Sequence, residues 1–118
     1  MQYALIINEQ PQEMSKRTGP DAPAYWAAWS AYSAAINEAG VATGGAGLET
    51  PDSATTVVLD GSSPTVHDGP YADSKEQLGG FYLIDVPSLD DAIAWAARIP
   101  SPGGKIEIRP LISPPESA

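Results

Sequence analysis

The sequence has no cysteine and a single histidine, and both shortages limit the chemistry that the chain can carry. Without cysteine there are no disulfides, no thiolate nucleophiles and no cysteine metal ligands. One histidine is too few for a typical zinc site within one chain. The glycines also lack the spacing of a dinucleotide-binding or P-loop motif. We therefore expect neither a metal site nor a cofactor.

Basic side chains are also few, with 6 lysines and arginines against 15 acids and a formal charge of −9. Binding of nucleic acid or of an anionic membrane surface needs a basic surface, so we expect neither partner. The acidity favours solubility. The N-terminal stretch MQYALIINEQ has no basic segment, and its apolar run is too short for a signal peptide or a membrane span. The expected location is the cytoplasm.

The hydrophobic pattern predicts one domain over residues 1–112, followed by a flexible tail over 113–118. Strands are predicted at 3–7, 46–49, 55–60, 65–67, 81–86 and 105–112, and helices within 24–40 and 87–100. The order is close to βαββαβ with one extra short strand. This order indicates an α+β fold with an antiparallel sheet and two helices on one face.

Both predicted helices carry an apolar stripe at helical spacing, which is typical of a helix that packs on a core. The stripes consist of Tyr25, Trp29, Tyr32 and Ile36 in the first helix and of Leu89, Ile93 and Ala96 in the second. Ser88 is the predicted N-cap of the second helix. The polar segment NEQPQEMSKRTGPDAP, which contains three prolines, is predicted to be a loop.

Two predicted strands, Tyr3–Ile7 and Phe81–Val86, are apolar on both faces. Two helices cover only one face of the sheet, so the other face would be a large exposed apolar patch. A second copy that packs sheet against sheet removes that patch and predicts a homodimer. The alternative is that the loop Glu9–Ala22 or the C-terminal tail covers this face.

The segment HDGPY, from His67 to Tyr71, places the only histidine beside a carboxylate. Histidine ordinarily titrates near neutral pH, so His67 or Asp68 suits a role as catalytic acid or base. However, neighbouring side chains of an extended chain point to opposite faces. An aspartate before Gly69-Pro70 is also typical of a turn in which the carboxylate binds the backbone. Both interpretations stay open.

Other residues are candidates for substrate binding. They are Gly69, Pro70, Tyr71, Glu76, Arg98 and Arg109. Arg109 suits bidentate binding of a carboxylate if its strand face lines a cleft. The alternatives are a solvated or paired face for Arg109, a helix-end role for Arg98 and a turn cap for Glu76.

Residues 68–111 resemble the YCII-related family, in particular its DGPF subgroup. The subgroup motif Asp-Gly-Pro-Phe stands here as Asp68-Gly69-Pro70-Tyr71. Three further blocks, KEQLGGFY at 75–82, WAARIP at 95–100 and IEIRPL at 106–111, match in the same order. The histidine before the motif departs from the usual pattern. The resemblance implies a ferredoxin-like fold that dimerises into an α+β barrel.

The resemblance implies two alternative functions. One is acid/base chemistry of lyase or isomerase type on a small organic molecule, in a pocket near the Asp68–Tyr71 turn. His67 or Asp68 would then be catalytic. The other is a non-enzymatic ligand-sensing or regulatory module associated with an extracytoplasmic-function sigma factor.

Overall fold

The computed structural model describes residues 1–71 and 75–113, so residues 114–118 of the predicted tail lie outside it. The strands are β1 Gln2–Glu9, β2 Ala42–Gly47, β3 Thr55–Val58, β4 Thr65–Asp68, β5 Gln77–Asp85 and β6 Lys105–Pro110. The α-helices are α1 Pro11–Met14, α2 Ala22–Glu38 and α3 Leu89–Ala96, and 3₁₀ turns lie at Ser15–Arg17 and Pro51–Ser53. Of the helices in these ranges, none is long and apolar enough to cross a membrane.

Four strands form one antiparallel sheet in the order β2-β5-β1-β6. Both β1 and β5 are central, as expected for strands that are apolar on both faces. The predicted α+β, ferredoxin-like fold is confirmed. Helices α2 and α3 pack on the same face of this sheet, because residues of both belong to one buried cluster with β1 and β5.

Side chains along β1 alternate between this covered face and the opposite one. Tyr3, Leu5 and Ile7 are buried towards the helices, and Tyr82 and Ile108 lie beside Leu5 in register. The residues between them point the other way. Ile6 is paired with Phe81 on that opposite face, and all their neighbours there are at most half-buried.

Strands β3 and β4 form a separate two-stranded hairpin between β2 and β5. Its valines are exposed, with Val57 at 53% and Val66 at 62% accessible. The predicted hairpin is therefore confirmed, although it does not extend the main sheet. A two-stranded hairpin gains little stability by itself.

The predicted apolar stripe of α3 is wrong in two of its three positions. Leu89 and Ile93 are about half exposed, whereas Ala92 and Ala96 are buried. An i, i+4 pair of alanines brings the helix axis close to the sheet, so the larger side chains lie at the flanks. The predicted N-cap is confirmed, because Ser88 Oγ accepts from the Asp91 backbone N–H at 3.3 Å.

The segment predicted as a loop after β1 contains α1 and a 3₁₀ turn instead. Pro11 stands at the start of α1, where a missing N–H costs nothing and the fixed φ suits a helix. Met14 is 2% exposed and anchors this short helix. The turn that follows places Arg17 over the end of the sheet.

Candidate functional site

A cavity of about 790 Å³ lies between α2 and the ends of β2 and β5. Four aromatic side chains contribute to its lining from the helix-facing side, and they are Tyr25, Trp26, Trp29 and Tyr82. The ordinary volume of small-molecule sites is about 300–1,000 Å³, and this cavity falls within it.

Glycines account for the space under α2. Gly45 pairs with Tyr82 and Gly47 with Gly80, so these glycines lie on the helix-facing side of the sheet. At these positions the sheet has no side chains to fill the gap to the helix. The cavity is therefore a consequence of the glycines in the β2 sequence TGGAG, of which Gly47 faces a further glycine, Gly80, in β5.

A buried carboxylate closes the inner end of this cavity. Glu9 is the last residue of β1, faces the helices like Ile7, and is only 1% exposed. The Tyr25 hydroxyl lies 3.1 Å from its Oε1 and 3.0 Å from its Oε2. Ser101 Oγ donates to Oε1 at 3.1 Å, and Arg17 Nη2 lies 3.3 Å from Oε2. The carboxylate is thus held from three separate segments of the chain.

Arg17 connects this carboxylate to the two strands that border the cavity. Its Nε donates to Tyr25 Oη at 3.2 Å, and its Nη2 donates to the Gly79 carbonyl at 3.1 Å. Its Nη1 donates to the Leu48 carbonyl. The guanidinium also lies 5.8 Å from the centroid of the Trp26 ring, within cation–π range. Most of its donors are therefore engaged by the protein itself.

Burial raises the pKa of Tyr25 above the ordinary tyrosine value of 10.0, against the opposing effect of the hydrogen bond from Arg17. The nearby Glu9 carboxylate raises this pKa further. Burial likewise raises the pKa of Tyr32, and the neighbouring Tyr82 adds to it. Tyr25 is consequently a neutral phenol at physiological pH and a hydrogen-bond donor to Glu9.

The raised pKa values predict a loss of stability in alkaline solution. The folded chain holds these phenol protons more tightly than the unfolded chain. The contribution to stability is therefore complete below the unfolded pKa of about 10 and is lost as pH rises towards the folded pKa. Unfolding free energy measured against pH should fall over this range in the native chain and fall less steeply in Tyr25→Phe and Tyr32→Phe. An unchanged slope in both variants would contradict the assignment.

The residues predicted from the HDGPY segment lie on the hairpin. His67 and Asp68 are exposed consecutive residues of β4, so their side chains point to opposite faces and form no pair. The Gly69 N–H donates to the Ala54 carbonyl at 2.7 Å, and its carbonyl accepts from Thr56 Oγ1 at 2.7 Å. This geometry favours a structural turn for Asp68-Gly69-Pro70.

None of the described residues from His67 to Tyr71 lines this cavity or a smaller one beside it at Asn37, Ala42 and Tyr82. This cavity, at the C-terminal end of β1, is therefore not the pocket predicted near the Asp68–Tyr71 turn. Tyr71 is 89% exposed. The turn and the cavity are separated because the hairpin forms a sheet of its own.

The remaining predicted binding residues do not converge on the cavity either. Glu76 forms an ion pair with Lys105 at 2.5 Å. Arg98 lies over the Trp95 ring, 4.5 Å from its centroid, and Arg109 pairs with Glu107 at 3.4 Å on the open face of β6. Of the structural alternatives given for these residues, the paired strand face of Arg109 matches its observed contact.

Glu9, Arg17 and Tyr25 were not predicted as site residues from the sequence. One signal was available, because Glu9 continues the inward alternation of Tyr3, Leu5 and Ile7, where a carboxylate needs partners. Nothing local marked Arg17, which lies in the segment predicted as a loop. In the described part of the chain, no group of three or more His, Asp or Glu side chains is arranged to hold a metal ion.

Comparison with known proteins supports the fold-level conclusions. Residues 1–113 match the model of the YCII-related domain. A protein of Rhizobium meliloti (strain 1021), described as uncharacterized, is 51% identical over 49 residues. That match covers 39% of this chain and 40% of the relative, so the chain spans less than half the length of this curated relative. With its family model matched over almost the whole length and its ferredoxin-like sheet, the chain belongs to the YCII-related domain family.

Proposed function

We propose that this protein binds a small organic molecule in the cavity beneath α2 and moves a proton there through Tyr25 and Glu9. The observation that carries the proposal is the buried Tyr25–Glu9 hydrogen bond at the inner end of a cavity of about 790 Å³. A largely apolar cavity with a few convergent polar groups is the usual form of a small-molecule site.

The geometry supports acid/base chemistry of the lyase or isomerase type. The Tyr25 hydroxyl carries a proton that burial retains, and Glu9 accepts a hydrogen bond from it. A substrate oxygen that approaches the phenol receives this hydrogen bond, and Glu9 and Arg17 hold the phenol in place. In a balanced isomerisation, the Tyr25 phenol gives its proton to one substrate atom and the resulting phenolate takes a proton from another, so the phenol is regenerated and no cofactor is consumed.

A non-enzymatic ligand-sensing module is the second candidate. The observation that favours it is that protein groups already occupy both Glu9 oxygens and most Arg17 donors. Such a cluster suits an anchor beneath a binding cavity as well as it suits a catalyst. The motif Asp68–Tyr71 favours the DGPF subgroup. On that basis we also propose an association with a sigma factor. Co-purification from the native host tests that association.

Filling the cavity tests the proposed binding directly. A Cβ built on Gly47 meets no atom within 4 Å, so Gly47→Val adds side-chain volume beside the ligand space without a backbone clash. The matched control is Gly44→Val on the same strand, where the nearest atom to the Cβ is Leu83 Cδ1 at 3.4 Å. Ligand-observed NMR with a fragment library should show binding to the native chain and to Gly44→Val.

The same fragments should lose about tenfold or more in affinity to Gly47→Val, because the added side chain occupies their volume. Equal binding to both variants, or no fragment bound by the folded native chain, would contradict the proposal. Tyr25→Phe separates the two candidates. A bound compound that the native chain converts and Tyr25→Phe does not convert supports the enzyme, whereas binding without conversion supports the sensing module.

We also propose that two copies of the chain associate through the open sheet face. Ile6, Phe81 and Leu83 lie on this face and are only half-buried in the single chain. Sedimentation equilibrium should show a dimer for the native chain and a monomer for Leu83→Asp, because a buried unpaired charge opposes association. The control Leu89→Asp lies on α3, across the sheet, and should remain dimeric. A native chain that is monomeric at micromolar concentration would contradict this proposal.

A further inference from the structure

We infer that the ligand of this cavity is an uncharged, planar ring compound that lies flat between the bare backbone of β2 and β5 and the aromatic side chains of α2. This inference rests on the proposed function and specifies its ligand class. Three observations lead to it, namely the glycine surface of the sheet, the rings opposite that surface and the neutralised charges at the inner end.

The sheet side of the cavity is flat at Gly45 and Gly80, beside Ile7 and Tyr82, because side chains are excluded at these two glycines. A Cβ on Gly45 would lie 2.5 Å from the Phe81 carbonyl oxygen, and a Cβ on Gly80 would lie 2.7 Å from the Ala46 carbonyl oxygen. Both glycines also have positive φ angles, +141° and +158°. Together with Gly47 they form a surface of peptide planes with no projecting group.

The helix side of the cavity presents aromatic side chains. Trp26 and Trp29 are three residues apart on α2, and Tyr25 lies between them and Glu9. The Tyr25 ring centroid is 4.9 Å from that of Trp26 and 6.3 Å from that of Trp29. Aromatic rings pack favourably on other rings in stacked or edge-to-face arrangements. A flat surface opposite a row of rings therefore favours a planar ligand over a bulky saturated one.

The charges at the buried inner end of the cavity leave no counter-charge for a charged ligand there. Glu9 and Arg17 neutralise one another at 3.3 Å, and both make further hydrogen bonds to the protein. Glu49, which lies at the exposed edge of the lining, disfavours an anion. A charged ligand would lose its hydration without gaining a free partner, and that loss is costly in a largely apolar site.

Polar groups near the rings suit a hydroxyl or carbonyl substituent on the ligand. Ser33 Oγ and the Tyr82 hydroxyl share a hydrogen bond of 2.5 Å in the cavity lining. The Trp29 indole Nε1 is buried and has no hydrogen-bond partner among the described residues. Buried donors in proteins normally have an acceptor. A ligand with an oxygen at the edge of its ring would supply the acceptor that Trp29 Nε1 lacks.

Four probes of similar size test the ligand class by isothermal titration calorimetry on the native chain. Naphthol is planar and uncharged, decalol is its saturated counterpart, and naphthoate and naphthylmethylammonium carry opposite charges. We expect naphthol to bind about tenfold or more tightly than each of the others. Trp29→Leu should lower the affinity for naphthol by about twofold to tenfold, whereas Trp29→Phe, which keeps a ring and loses only the indole N–H, should lower it less. Thermal melting of both variants checks that they fold.

The outcomes distinguish this inference from the function on which it rests. Decalol or a charged probe that binds as tightly as naphthol would overturn the ligand class. Equal affinity of Trp29→Leu and Trp29→Phe for naphthol would also overturn it. If library fragments bind and Gly47→Val blocks them, while naphthol does not bind, the ligand class is wrong and the cavity function stands. If neither fragments nor naphthol bind, both fail.

Discussion

Replacing Glu9 with alanine is expected to lower the free energy of unfolding by about 3–5 kcal/mol, because it leaves a buried cation without its partner. Glu9 is 1% exposed and the Arg17 side chain 13% exposed. The substitution removes the acceptor of Arg17, of the Tyr25 hydroxyl and of Ser101 Oγ at once. Buried donors without partners add to the cost. Urea unfolding followed by circular dichroism measures the change.

An exposed ion pair provides the control for this prediction. Glu107 and Arg109 lie 3.4 Å apart, and their side chains are 57% and 70% exposed. Glu107→Ala should therefore change the free energy of unfolding by less than about 1 kcal/mol. Glu9→Gln, which keeps a carbonyl acceptor, should fall between the two. A Glu9→Ala variant as stable as Glu107→Ala would show that the buried cluster does not hold β1, α2 and the turn at Ser101 together.

Replacing Ile84 with alanine is expected to lower the free energy of unfolding by about 2–5 kcal/mol. Ile84 lies in β5 opposite Tyr3, is 0% exposed and belongs to the cluster that joins the sheet to both helices. The substitution removes buried methyl groups and leaves a space that a close-packed core refills only in part. Thermal and urea unfolding of the variant measure the loss.

An isoleucine-to-alanine substitution on α3 tests the packing seen in the structure against the packing predicted from the sequence pattern. Ile93 is 48% exposed, so Ile93→Ala should cost less than about 1 kcal/mol. The helical stripe predicted from the sequence would make Ile93 a core residue and give both variants similar losses. If Ile93→Ala proves as destabilising as Ile84→Ala, then α3 packs through Ile93, and its contact through Ala92 and Ala96 is wrong.

Local patterns were sufficient for the longer elements and for the fold class, but not for α1 and the 3₁₀ turn after β1. The alternation along β6, the four-three-four spacing on α2 and the Ser88 cap all recur in the structure. Each of these features depends only on residues a few positions apart, so the sequence of a short segment is enough to predict it. The stripe of α3 was wrong because alanine carries almost no hydrophobic signal, although its small size lets a helix approach a sheet.

The sequence by itself determined the α+β order of elements, the doubly apolar central strands and the exclusion of thiol chemistry. Only the tertiary structure decided where the candidate site lies. Glu9 meets Ser101 across 92 positions of the chain and Tyr25 across 16, and no local pattern links residues so far apart. The DGPY turn has a distinctive local sequence but lies on a hairpin of its own. The cavity instead arises where glycines of two strands face the rings of α2, and only strand register brings these together.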